Sequence, residues 1–268
     1  MTSIKVSYTC AEFYSHAEAL ASKLGVDVVL ADTVKPDSMN HSGYHLNIGS
    51  EGLSLLPVPR NIHGPIMCQF DSGVNSHRRK YGGGNGQAIA KAVGLSGKFS
   101  PNVLDLTAGL GTDGFVLAGL GCRVKLLERN AVVFSLLQDG LARAQRVALD
   151  NSDLRDVLSR MTLIEADAQA FLADLSADHV NDVIYLDPMF PERKKRAKVK
   201  KEMQAFQHIV GADQDATELL PLALERARYR VVVKRPASAD FLGGRQPSYS
   251  LEGKSTRFDI FALRKLPS

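Results

Sequence analysis

Asp187, Pro188, Met189 and Phe190 follow directly on the apolar run 183–186 (Val-Ile-Tyr-Leu). An acid, a proline and an aromatic at the end of a buried strand are the parts needed to methylate an exocyclic amine on a planar base. An aryl amine is a poor nucleophile because its lone pair is shared with the ring. The Asp187 carboxylate and the Pro188 carbonyl can hold its hydrogens and favour a pyramidal nitrogen. Phe190 can stack on the base. The enzyme's main task is then to place that nitrogen in line with the methyl group at contact distance. A base reached this way has to be unpaired or flipped out. The general amine-methylating pattern has a second proline where Met189 stands. Taken alone, Asp-Pro could simply start a loop, with Phe190 in the core.

A second constellation lies 82 residues upstream of Asp187. Asp105-Leu-Thr-Ala-Gly109-Leu-Gly111-Thr112-Asp113-Gly114 reads as a strand followed by a glycine-rich turn. It fits G-x-G-x-x-G, a pattern shared by nicotinamide, flavin and S-adenosylmethionine enzymes. Gly109 and Gly111 let the backbone approach a ligand. Carboxylates at Asp105 and Asp113 would repel a pyrophosphate and suit a sulfonium cation carrying an amino-acid tail. Asp105 could instead be a satisfied buried acid that holds the loop.

Glu128 closes the next strand, 17 residues after Gly111. A carboxylate there can accept from both ribose hydroxyls, and the backbone at Arg129 could line the same pocket. Glu128 also suits a nicotinamide cofactor, so it does not discriminate. Asp167 follows a third strand. It can accept from an adenine amine while the Ala168 amide donates to a ring nitrogen. It can equally cap the helix that begins at Ala168. The same ambiguity holds for Thr112 and Asp113 at the helix after the glycine turn.

These residues need elements to position them. From residue 100 onward apolar strands alternate with helical segments, which predicts a mainly parallel α/β sheet. The expected strands are 103–107, 123–128, 161–166, 183–187 and 230–234. The expected helices are 113–120, 131–149, 168–175 and 213–228. Two final strands, at 248–252 and 257–263, have no helix between them and must form an antiparallel hairpin. Five βα strands closed by a hairpin fit a seven-stranded methyltransferase sheet better than a nicotinamide-binding one. Asp187 would then lie at the switch-point crevice, beside the first strand.

Residues 1–75 read as a small α+β domain ahead of a cofactor-binding domain at 76–268. Strands are expected at 4–8 and 26–30, with a helix over 11–24 between them. A hairpin follows over 44–48 and 53–56, then a strand at 66–70. A short helix is expected over 87–93.

The chain has 268 residues with 44% hydrophobic and 23% charged, the profile of a soluble globular protein. No run reaches the roughly 18 apolar residues of a membrane span. Three cysteines, Cys10, Cys68 and Cys122, are odd in number and fit no zinc spacing. They imply no bound metal and a reducing compartment, hence a cytoplasmic protein.

The net charge of +4 is concentrated in two places. Residues 192–201 hold seven basic side chains, among them Arg193, Lys194, Lys195 and Arg196, and one acid. Arg78, Arg79 and Lys80 precede a run of four glycines in five residues. An acidic body with two basic clusters suggests a polyanionic partner held at a defined place. The cluster that begins just after Phe190 would grip a nucleic-acid backbone beside a flipped base. The alternatives are a solvated face for that run and a flexible linker for the glycines.

Several stretches together resemble the RsmJ family, bacterial enzymes that methylate a guanine N2 in 16S ribosomal RNA. They are 77–84, 105–111, 127–130, 186–191 and 231–236 (Val-Val-Val-Lys-Arg-Pro). In that family methionine is the usual residue at position 189. The resemblance runs from about residue 63 to 262 and implies S-adenosylmethionine contacts at Thr112, Asp113, Glu128, Arg129, Asp167, Ala168 and Asp187. It also implies 16S rRNA or the small ribosomal subunit as the partner. Two other classes remain: a DNA adenine or cytosine amine methyltransferase, and a non-catalytic RNA-binding assembly factor with a vestigial cofactor fold.

Overall fold

The computed structural model describes residues 3–31, 43–58, 62–70, 86–176, 181–189, 209 and 215–267. Its elements, in chain order, begin with β1 (Ser3–Tyr8), α1 (Tyr14–Leu24), β2 (Val28–Leu30), β3 (Gly43–Gly49) and β4 (Gly52–Val58). Next come α2 (Ala88–Val93), β5 (Asn102–Asp105), α3 (Thr112–Gly119), β6 (Arg123–Glu128) and α4 (Ala131–Val147). Then follow α5 (Ser152–Leu158), β7 (Met161–Glu165), α6 (Ala168–Asp174) and β8 (Asn181–Leu186). The chain ends with α7 (Ala216–Arg226), β9 (Ala227–Pro236), β10 (Tyr249–Glu252) and β11 (Thr256–Ala262).

Contacts divide the chain into two compact units. The first comprises the described residues within 1–69, 130–143 and 189–212; the second comprises those within 70–129, 144–188 and 213–268. Residues 130–143 thus cluster with the N-terminal sheet, although they lie in the middle of the α/β sequence.

In the first unit, β2-β1-β3-β4 form one sheet. β1 runs parallel to both β2 and β3, and β3 pairs antiparallel with β4 through a tight hairpin. Ala17, Leu20 and Ala21 form the buried stripe of α1, at the spacing of one helical face. Val6, Leu46 and Leu55 are fully buried. The 131–143 segment is tied to this unit by side chains. Asp139 Oδ2 accepts from Leu53 N at 3.1 Å, and Arg143 donates to the Cys68 carbonyl at 2.6 Å.

The strand expected at 66–70 reduces to one antiparallel bridge, Ile66 with Leu55. Arg143 takes the Cys68 carbonyl, so that acceptor does not join the ladder.

In the second unit the sheet order is β10-β11-β9-β8-β5-β6-β7. β5 to β9 are parallel, while β11 pairs antiparallel with both β9 and β10. The expected α/β sheet closed by an antiparallel hairpin is the architecture found. Val183 to Leu186 and Val231 to Val233 are fully buried, as parallel strands covered on both faces must be. The crossover from β7 to β8 reverses the strand order, so the carboxyl ends of β5 and β8 flank the switch-point crevice.

One helix, α5, was not among the expected elements. Its apolar positions Leu154, Val157 and Leu158 are buried, and Asn151 Oδ1 caps it by accepting from Leu154 N.

Candidate active site

Just beyond β5 the backbone stays bonded to both neighbouring strands, Leu106 N donating to the Tyr185 carbonyl and Ala108 N to the Leu127 carbonyl, both at 3.0 Å. Asp105 Oδ1 accepts from the Thr107 amide at 3.0 Å, and the Thr107 hydroxyl lies 3.4 Å from the same oxygen. The Asp187 amide donates to Thr107 Oγ1 at 2.6 Å. Thr107 therefore pins the end of β8 to the end of β5. Asp105 is almost fully buried. Burial pushes its carboxyl up to about 8; the bond from the Thr107 amide opposes that, and the nearby Asp113 and Asp187 charges add to it. It is the satisfied buried acid that the sequence allowed for.

The turn that follows uses left-handed backbone at Gly109 (φ 55°) and Gly111 (φ 72°). Among the described residues, nothing but the Thr107 carbonyl, at 3.9 Å, would meet a Cβ placed at Gly109. The Gly109 amide donates to Glu128 Oε2 at 3.0 Å, fixing the turn against the end of β6. Gly111 caps α3 without a side-chain bond, so Thr112 and Asp113 are first-turn residues rather than caps. Gly114 brings α3 close to the sheet: a Cβ there would lie 2.5 Å from Leu126 Cδ2.

Glu128 is buried at the end of β6. Arg129, beside it, forms a two-pronged pair with Asp215, one prong at 3.0 Å, and lies 3.6 Å from Asp167. The Arg129 hydrogen bond holds the Asp215 carboxyl below its ordinary range. Asp167 Oδ1 accepts from the amides of Gln169 and Ala170, both at 3.0 Å. Asp167 is thus a helix cap, and Ala168 is the first residue of α6.

Asp113 is bound on two sides. The Tyr185 hydroxyl donates to its Oδ2 at 2.8 Å and Lys234 Nζ donates to the same oxygen at 2.6 Å. Lys234 also reaches Asp187 Oδ2 at 2.7 Å. Burial works against the Lys234 charge, but the Asp113 and Asp187 carboxylates outweigh it and raise the ammonium's pKa above its ordinary value. Burial, with the same carboxylates, raises the Tyr185 phenol well above its own.

Asp105, Gly109, Gly111, Thr112, Asp113, Glu128, Arg129, Asp167, Ala168, Asp187 and Pro188 therefore all lie at the carboxyl ends of β5 to β8 or in the turns just beyond. Lys234, Thr107 and Tyr185 join them and were not among the expected site residues. The signal for Lys234 was a lysine directly after three valines in a buried strand. Phe190, Arg78, Arg79, Lys80, Arg193, Lys194, Lys195 and Arg196 fall outside the described residues. Among the described residues no cluster of His, Cys, Asp or Glu could hold a metal ion, and no helix is long and apolar enough to cross a membrane.

A parallel sheet closed by an antiparallel hairpin, with a glycine turn after one strand and carboxylates ending the next two, defines an S-adenosylmethionine-dependent methyltransferase. The model of the SAM-dependent methyltransferase family SAM_MT matches residues 29–263. The chain belongs to the ribosomal RNA small subunit methyltransferase J family. Proteins with that name match it at 50% identity in Cellvibrio japonicus, over 96% of both chains, and at 47% in Hahella chejuensis, over 98% of this chain and 96% of the relative. The crystal structure of the SAM-dependent methyltransferase NGO1261 from Neisseria gonorrhoeae superposes with a TM-score of 0.69 at 33% identity. That match covers 96% of this chain and 95% of the other.

The site's donor set fits S-adenosylmethionine. Among the described residues the backbone at Gly109 is open to a close approach, the Glu128 carboxylate stands at the turn, and the Lys234 ammonium there is matched by the Asp113 and Asp187 carboxylates.

Proposed function

We propose that the protein transfers a methyl group from S-adenosylmethionine to the exocyclic N2 amine of a guanosine in 16S rRNA of the small ribosomal subunit, in the cytoplasm. The observation that carries this proposal is the position of Asp187. Its backbone is tied to Thr107, just beyond β5, and its carboxylate to Lys234, a fixed position that supports its reading as the amine acceptor. The names of the relatives support the choice of small-subunit rRNA.

S-adenosylmethionine supplies an electrophilic methyl group on a sulfonium. Glu128 would hold its ribose hydroxyls, Asp167 and the Ala168 amide its adenine, and Thr112, Asp113 and Arg129 would complete the pocket. The Asp187 carboxylate and the Pro188 carbonyl accept the hydrogens of the guanine amine and turn its lone pair toward the methyl. Phe190 stacks on the base. Arg78, Arg79 and Lys80, with Arg193, Lys194, Lys195 and Arg196, hold the phosphates around it.

The test is transfer of labelled methyl to unmodified small subunits, followed by nucleoside digestion. Labelled N2-methylguanosine is expected, and Asp187→Ala should lower its rate by at least about a hundredfold, the scale for a misplaced reactant. Label on DNA instead, or none on subunits or free rRNA, would overturn the assignment.

A further inference from the structure

We infer that Lys234 is a positioning residue for the acceptor: its ammonium ties Asp187, just beyond β8, to Asp113 in the first turn of α3, and holds the Asp187 carboxylate ionised and oriented for the amine. The inference rests on the proposed role of Asp187 as amine acceptor.

The geometry is specific. A lysine ammonium has three donors, and two of them are used here at 2.6 and 2.7 Å, lengths typical of charge-assisted bonds. Asp113 is in turn held by the Tyr185 hydroxyl at 2.8 Å, so the ammonium sits on an anchored partner. Lys234 is carried by a strand, not a loop. β9 pairs with β8 in the register Leu186 with Val233, which brings Lys234 level with Asp187. A group borne on a strand between packed neighbours keeps its position better than one on a mobile turn.

The charge balance points the same way. Among the described groups, Asp187 interacts with Lys234 from β9, Asp105 from β5 and Tyr185 from β8, and Asp113 from α3 shares the Lys234 ammonium with it. Lys234 is the cation among these four. Without it, three carboxyls and a phenol would crowd one half-buried place. Neighbouring carboxylates raise one another's proton affinity, and a nearby cation lowers it. A protonated Asp187 would lose an acceptor site and gain a hydrogen that the amine must compete with.

The experiment compares the full-length protein with Lys234→Met and Lys234→Arg between pH 5 and 9. Steady-state methyl transfer to subunits is measured alongside the carboxyl ¹³C shift of Asp187, assigned by its loss in Asp187→Asn. In Lys234→Met, kcat should fall by about a hundredfold with little change in KM for subunits. The acid limb of its rate profile, and the ¹³C titration of Asp187, should move up by about one to three pH units. Lys234→Arg keeps the charge and should keep both at their wild-type pH. Lys234→Gln, of similar length and uncharged, replaces the Met variant if that fails to fold.

An equal loss of activity at every pH, with the Asp187 titration unmoved, would reduce Lys234 to a structural ion pair and overturn the inference. Absence of methyl transfer by the wild type would instead sink the functional proposal, while the ¹³C titration would still decide the role of the ammonium.

Discussion

Asp105 sits at the root of the glycine turn with its carboxyl pushed by burial up to about 8, against an ordinary value of 3.8. Between those two values the folded chain keeps a proton that the unfolded chain releases. Stability from this group therefore falls as pH rises through that window and levels off above it. Asp105→Asn keeps an acceptor for the Thr107 amide and removes the proton. Its stability relative to wild type should rise steadily from pH 5 to pH 8, read from urea midpoints at each pH. A constant difference across that range would show that Asp105 is ionised in the folded state. Residues at strand ends were legible because acids there are few and each has a task. Lys234 was not, because one lysine in a strand gives no sign of the two carboxylates it meets. Asp113 lies 121 positions away from it in the chain and Asp187 lies 47 away.

α3 depends on a close approach to the sheet. A Cβ at Gly114 would stand 2.5 Å from Leu126 Cδ2 and 3.4 Å from Val124 Cγ1. Gly114→Ala should cost about 1–3 kcal/mol of stability, the range for overpacking a well-filled interface, measured by urea denaturation. Strands β5 to β9 were readable because strands buried on both faces become unbroken apolar runs. The closing hairpin was readable because four residues cannot hold a crossover helix. α5 was missed although its signals are present: an asparagine cap, then apolar residues three and four apart. It has only seven residues, too few for the periodicity to stand out. The segment at 66–70 has strand composition, yet only Ile66 pairs, because composition does not say which carbonyls an arginine will take.

At the scale of the whole molecule, the cysteines report on folding. Cys10 is exposed, while Cys68 and Cys122 are buried. Burial raises both buried thiols above their ordinary range, Cys122 to about 12. A maleimide should therefore label one thiol per native chain and three after denaturation, counted by mass spectrometry. Rapid labelling of a second thiol in the native protein would contradict the packing of one of the two sites. The division into an N-terminal sheet and an α/β sheet was legible from the change in element pattern. The contribution of 130–143 to the first unit was not, because its apolar spacing serves any partner equally well.

That contribution bears on how the chain is made. Asp139 and Arg143, which bind the backbone at Leu53 and Cys68, emerge from the ribosome roughly seventy residues or more after those partners. At roughly 5–20 residues per second the growing chain waits several seconds for them. β1 to β4 are synthesised first, yet their unit cannot be completed until well into the making of the α/β sheet. The N-terminal sheet leaves the exit tunnel before the α/β sheet, and two of its backbone groups find their partners only in later residues.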